Sequence, residues 1–130
     1  MLSRFELLMV VRNQLRDRAL VDRALAVEAA MERLAAALGA DPTLWGLAGL
    51  GADIDVRLTA HHPERLGLVA EELLLAEGAP AEVAAAARAR HEAPPERMPP
   101  LARALVVAEA EVDGGPESAR VRACRELLGL

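Results

Sequence analysis

Leu20–Leu50 reads LVDRALAVEAAMERLAAALGADPTLWGLAGL, and its punctuation decides the fold. Leu20, Ala24, Val27, Met31, Leu34 and Leu38 recur at intervals of three and four residues. That spacing lines one face of an α-helix, predicted here from about Ala19 to Leu38. Gly39 follows as a left-handed cap, a conformation that glycine adopts without steric cost. Asp41-Pro42 then opens a new helix, with a carboxylate N-cap and proline at the first helical position. This third helix, about Pro42 to Leu50, is short and apolar on most sides, which predicts burial.

The same punctuation extends in both directions. Ser3 and Glu6 form a capping box ahead of a first helix from about Arg4 to Leu15, and Arg16, Asp17 and Arg18 make a polar break. Asp53–His62 has no helical period and is predicted as loop. Pro63 opens a fourth helix ending near Gly78, and Pro80 opens an alanine-rich fifth ending near His91. Glu92–Pro100 (EAPPERMPP) is loop because its prolines exclude regular structure. Leu101–Val112 makes a sixth helix, Gly114, Gly115 and Pro116 break the chain, and Glu117–Leu128 makes the last. Valines never alternate in a run, so no strand is predicted. The expected architecture is all-α: one domain over residues 1–130, an irregular bundle of six to seven helices.

Composition sets further bounds. The chain has 130 residues, 53% of them hydrophobic but only 2% aromatic. Leu, Ala and Val must build the core, which favours closely packed helices. The formal net charge of −5 and the lack of an isolated Lys/Arg block exclude the electrostatic footprint of a nucleic-acid binder. Phe5 and Trp45 alone do not make a base-stacking platform. Cys124 is the single cysteine, which rules out an internal disulfide or a Cys-based zinc cluster. Charges interrupt every apolar stretch before it reaches bilayer length, so no membrane association is expected. No signal-peptide pattern is read at the N-terminus. These features lead to an expectation of a cytoplasmic protein.

Three stretches resemble the compact family of HD-superfamily phosphohydrolases: Leu20–Leu50 as quoted, Ala52–Leu74 with ADIDVR and HHPERLGLVAEELL, and Pro100–Gly114, PLARALVVAEAEVDG. The resemblance implies an HD-domain-like helical fold and a divalent-metal site. In such a site a His, a His-Asp doublet and a later Asp hold a transition metal that lowers the pKa of a bound water. Placed on this chain, the first histidine falls on Arg23. The doublet falls on Ala52 and Asp53, and the last aspartate on Glu109. Further pocket histidines fall on Leu66 and Arg90. Only the Asp53 carboxylate is retained, as a vestige, and no metal ligand set or cofactor is expected. Arg23 is expected to stand in for the metal's charge by bridging Asp53 and Glu109 through charge-assisted hydrogen bonds.

Other candidates carry a sharp and a bland reading. His61 and His62 offer a displaced metal or phosphate site with Asp53 or Asp55. The preferred reading makes them loop residues, with His62 capping the fourth helix. His91 ends the fifth helix, where a cation suits the helix dipole. Asp55 is read as a loop carboxylate that caps or pairs with Arg57, or alternatively as a ligand contact. Arg88, Arg90 and Arg97 flank the EAPPERMPP loop and offer a phosphate site, but Glu92 and Glu96 dilute the field and favour a solvated face. Cys124 is read as core filler.

The leading expectation is a degenerate HD-domain protein without phosphohydrolase activity, binding an unidentified small molecule or protein. The first alternative is an active metal-dependent phosphohydrolase whose site uses Asp53 with His61, His62 or His91. The second is a helical protein-interaction module. Apolar residues on the terminal helices (Phe5, Leu8 and Val11 in one stripe, and Val121, Leu127, Leu128 and Leu130) raise the option of a homodimer.

Overall fold

The computed structural model describes residues 2–130, and those residues form seven α-helices with no strand among them. The helices are α1 (Arg4–Leu15), α2 (Arg18–Leu38), α3 (Pro42–Gly51), α4 (Leu68–Ala76), α5 (Ala81–Glu92), α6 (Pro100–Asp113) and α7 (Ala119–Leu128). Short 3-10 turns at Pro63–Arg65 and Pro95–Arg97 precede α4 and α6. The all-α expectation therefore holds, with seven helices.

Local capping places the ends. The Ser3 hydroxyl accepts from the Glu6 amide at 3.1 Å, and Glu6 accepts in return from the Ser3 amide at 3.3 Å, which completes the box on α1. The Asp17 carboxylate caps α2 through Leu20 N at 3.1 Å. Gly39 ends α2 with φ +71°, and Asp41 caps α3 through Thr43 N at 3.0 Å.

The core is organised around α3. Trp45 to Gly51 are all buried, and α3 packs along α2 and against α1, α5 and α6. Its glycines make this possible. A β-carbon at Gly49 would stand 2.8 Å from Val27 O and 2.9 Å from Glu28 Cα, both backbone atoms of α2. Only a residue without a side chain lets two helix backbones approach so closely. On α2, Ala24, Val27, Met31 and Leu34 are buried, as their spacing requires, while Leu20 and Leu38 lie partly buried at its two ends.

One segment departs from the sequence-based expectation, and another is more ordered than a loop need be. Asp53–His62 holds no regular helix, as expected, but it is not open. Tight turns wind it on from α3, with Ile54 N to Gly51 O at 3.2 Å, Val56 N to Asp53 O at 3.1 Å and Thr59 N to Asp55 O at 2.9 Å. Ile54, Asp55 and Thr59 are buried within it. The fourth helix does not begin at Pro63. The chain makes one 3-10 turn, breaks at Gly67 with φ +90°, and starts α4 at Leu68. The break brings Gly67 onto α5, where a β-carbon would meet His91 Cδ2 at 2.8 Å and Ala87 O at 3.2 Å. The last helix starts at Ala119, because the Ser118 hydroxyl caps it through Val121 N at 3.2 Å.

Among the described residues, no helix is long and apolar enough to cross a membrane.

Candidate functional site

Four separate segments deliver charge to one place beside α3. Arg23 comes from α2, Asp53 from the turn after α3, Arg90 from α5, and Glu109 and Asp113 from α6. Arg23 Nη1 donates to Asp53 Oδ2, and its Nη2 lies 3.4 Å from Glu109 Oε2. The same guanidinium forks onto Asp113, with Nε to Oδ1 at 2.8 Å and Nη2 to Oδ2 at 2.9 Å. From the opposite side, Arg90 Nη2 donates to Asp53 Oδ1 at 2.7 Å and to Ala52 O at 3.0 Å. Its Nη1 donates to Glu109 Oε1 at 2.8 Å. Two guanidinium groups thus hold Asp53 and Glu109 between them.

Arg90 corrects an expectation. A solvated arginine was predicted, but the side chain is 2% exposed. The burial is legible from spacing once it is sought. Arg90 lies three, four and seven residues after Ala87, Ala86 and Val83, all buried on α5. A residue at those offsets faces the core. Arg120 of α7 fixes the backbone there by donating to the Arg90 and Ala93 carbonyls, so α7 caps the C-terminus of α5. Asp113 was absent from the predicted site. It lies four residues after Glu109, so both project from one face of α6.

The electrostatics follow the geometry. Burial alone would raise Asp53, but Arg90 and Arg23 outweigh it and hold this carboxyl below the ordinary aspartate range. The Arg23 hydrogen bond holds Asp113 low as well. Glu109 goes the other way. Burial raises it, and the Asp53 charge adds to the rise against the pull of the two arginines. The 3.4 Å contact to Arg23 is the loosest in the cluster. Arg23 itself is raised, chiefly by its hydrogen bond with Asp113.

His91 borders the cluster. Its Nε2 accepts from Arg90 Nε at 3.1 Å, which requires that nitrogen to be unprotonated. Burial of the ring and the neighbouring Arg90 charge depress the imidazole to about 4. The residue keeps exposed surface even so, with its Cδ2 edge against Gly67. The expected helix-end cation is therefore a neutral ring at neutral pH.

The remaining candidates lie elsewhere. His61 and His62 are exposed, and His62 Nδ1 stands 3.4 Å from Glu64 Oε1. His62 does not cap α4. That role belongs to Asp55, which is fully buried and accepts from Gly67 N at 2.9 Å and Ala70 N at 2.8 Å. Of the two predicted roles, capping or pairing with Arg57, Asp55 takes the cap. Asp55 Oδ1 has no partner among the described residues, and burial pushes the carboxyl up. Arg88 pairs with Glu71 at 3.2 Å and Glu92 at 2.8 Å. Cys124 is buried. A second ion pair, Arg4 on the buried Glu28 at 2.6 and 2.8 Å, was not foreseen from the sequence.

An open cavity of about 310 Å³ lies against the cluster. Leu15, Leu20, Ala24, Val56 and Leu66 form its aliphatic walls, and Arg23, Asp53, Glu109 and His91 its polar side. These residues do not fit a divalent cation. Ala52 has no donor side chain, and its carbonyl already accepts from Arg90. Both carboxylates are engaged by guanidinium groups that repel a metal. Among the described residues, no three His, Cys, Asp or Glu side chains converge as ligands.

Comparison of the chain with protein-family models, curated proteins and solved structures finds no match.

Proposed function

We propose that this chain is a degenerate HD-domain protein in which a binding or scaffolding role has replaced metal-dependent phosphohydrolase chemistry. One observation carries the reading. Arg23 and Arg90 together hold Asp53 and Glu109, the two carboxylates at the positions where the resemblance implies metal ligands. A guanidinium supplies the positive charge and directional donors that those oxygens need. It supplies no Lewis acid and activates no water. The cavity beside the pair remains open to a ligand. We place the protein in the cytoplasm, consistent with one buried, unpaired cysteine.

Elemental analysis of the purified protein, followed by assay with a generic phosphodiester and a nucleotide substrate, tests this reading. No stoichiometric metal and no turnover are expected. Stoichiometric metal with turnover that disappears in Asp53→Ala would establish the phosphohydrolase alternative instead. For that alternative the placement of the histidines is unfavourable, since His61 and His62 are exposed and His91 Nε2 is engaged by Arg90.

A second reading, a helical interaction module or homodimer, draws on α1. Phe5 is 69% exposed and Met9 44% exposed, and the two lie four residues apart on the outer face of the helix. The stripe predicted from Phe5, Leu8 and Val11 divides here: Leu8 and Val11 are buried and Phe5 is not. Sedimentation of the wild type and of Phe5→Glu tests self-association. A dimer lost in the variant supports this reading, and monomers in both remove it.

A further inference from the structure

The cavity at the ion-pair cluster has a chemical preference that follows from its unused hydrogen-bonding capacity. Its volume of about 310 Å³ lies at the small end of the range for small-molecule sites. The walls are aliphatic, so the ligand must carry hydrocarbon. The charged side decides the head group.

Most of the guanidinium N–H groups there are already committed. Arg23 directs Nε and Nη2 at Asp113 and Nη1 at Asp53. Arg90 directs Nε at His91, Nη1 at Glu109, and Nη2 at Asp53 and the Ala52 carbonyl. An incoming anion would have to displace a carboxylate to obtain a guanidinium fork. It would also meet a surplus of like charge, because three carboxylates (Asp53, Glu109 and Asp113) face two guanidinium groups, a net charge of −1. His91, held neutral with Nε2 accepting from Arg90, adds no positive charge.

The acceptors are unequally served. Asp53 has a close arginine on each oxygen. Glu109 has one on Oε1 at 2.8 Å, while Oε2 has only Arg23 at 3.4 Å. That distance exceeds the ordinary range of an N–H···O hydrogen bond. Glu109 borders the cavity, and Oε2 is the less closely served of its two oxygens.

We propose that the cavity binds a small aliphatic primary amine, its ammonium group donating to Glu109 Oε2 and its hydrocarbon chain lying along Leu20, Val56 and Leu66. The ammonium offsets the surplus negative charge, and the chain is removed from water by the walls. This inference rests on the reading of the site as a non-hydrolytic binding pocket.

Hexylamine, 1-hexanol, hexanoate and inorganic phosphate, each titrated into the full-length protein at neutral pH by calorimetry and by amide chemical shifts, test it. Hexylamine is expected to bind at least about tenfold more tightly than hexanol or hexanoate, with shifts clustered at Leu20, Val56, Leu66 and Glu109. Phosphate is expected not to bind. Glu109→Gln, checked for folding by circular dichroism, should bring hexylamine down to the affinity of hexanol. Leu66→Trp, which fills the cavity from a half-buried wall and leaves the charges intact, should abolish binding of all the probes. Equal affinities for amine and alcohol, tighter binding of hexanoate or phosphate, shifts away from the cavity, or no binding at all would each overturn the proposal. Those results leave the non-hydrolytic reading standing, since metal content and turnover decide that separately.

Discussion

Arg90 Nη2 stands 2.7 Å from Asp53 Oδ1, on a side chain that is 2% exposed. A fully buried guanidinium is tolerated only where its donors find acceptors, and here Asp53, Glu109, the Ala52 carbonyl and His91 accept four of its five N–H groups. Arg90 is thus the central post of the site. Arg23 closes the same carboxylates from the solvent side, with 28% of its side chain exposed.

Removing that post should be severe. Arg90→Met leaves the partly buried Asp53 and Glu109 with Arg23 alone, and breaking a buried ion pair from one side costs about 3–5 kcal/mol. Urea denaturation at pH 7 should show a loss of this size. Adding Glu109→Gln to Arg90→Met should recover part of it, because one uncompensated charge is gone. A double variant no more stable than Arg90→Met would show that the carboxylates are not strained by the loss.

The approach of α3 to α2 gives a prediction independent of charge. In Gly49→Ala the new methyl group would lie within 3.0 Å of Val27 O and Glu28 Cα, and backbone cannot swing aside as a side-chain tip can. Overpacking of this kind costs about 1–3 kcal/mol. The same change at Gly39 has open space around it but a φ of +71°, so its penalty there is backbone strain alone. Thermal denaturation of the two variants should show a lower melting temperature for each. Changes at helix–helix core positions flanking residue 49 should appear in the amide spectrum of Gly49→Ala only.

Asp55 should matter to α4 in particular. Its Oδ2 satisfies two amides at the start of that helix, Gly67 and Ala70. Asp55→Ala removes the cap and leaves both buried donors without an acceptor, for a loss of about 2 kcal/mol. Hydrogen exchange should localise the effect: the amides of residues 67 and 70 should lose protection well before those of α2 or α3. Uniform loss across the chain would count against a capping role.

Acid titration should separate the site's groups. His91 has a folded value of about 4, below the roughly 6.5 of an unfolded imidazole. A depressed histidine contributes stability that is present above about pH 6.5 and is lost as the pH falls from there towards 4. Asp53 and Asp113 are also depressed, so their contribution is present above an unfolded carboxyl's pKa and is lost at lower pH still, as each falls through its folded value. Glu109 is raised, and its protonation in acid partly offsets those losses. The melting temperature of the wild type should therefore decline between pH 6.5 and 4.5, and in His91→Gln that decline should be smaller. Parallel curves would show that the imidazole does not titrate in this window.

The helices were legible because their signals are local. Ser3 with Glu6, Gly39, and Asp41 with Pro42 each settle a helix end among residues a few positions apart. The apolar spacing of Ala24, Val27, Met31 and Leu34 names the buried face of α2 without reference to what covers it. The meeting of Arg23 with Asp53 and Glu109 could be anticipated only through the resemblance, since 30 and 86 residues separate them. Tertiary structure alone decided the rest: which partners the inward-facing Arg90 finds, that Asp113 joins the cluster, that Gly67 breaks the helix expected from Pro63, and which amides Asp55 caps. The physical reason is the range over which each group is satisfied. A helix end finds its hydrogen bonds within one turn of chain, whereas a buried charge must find its partner across the fold, and spacing along the sequence does not say where that partner will lie.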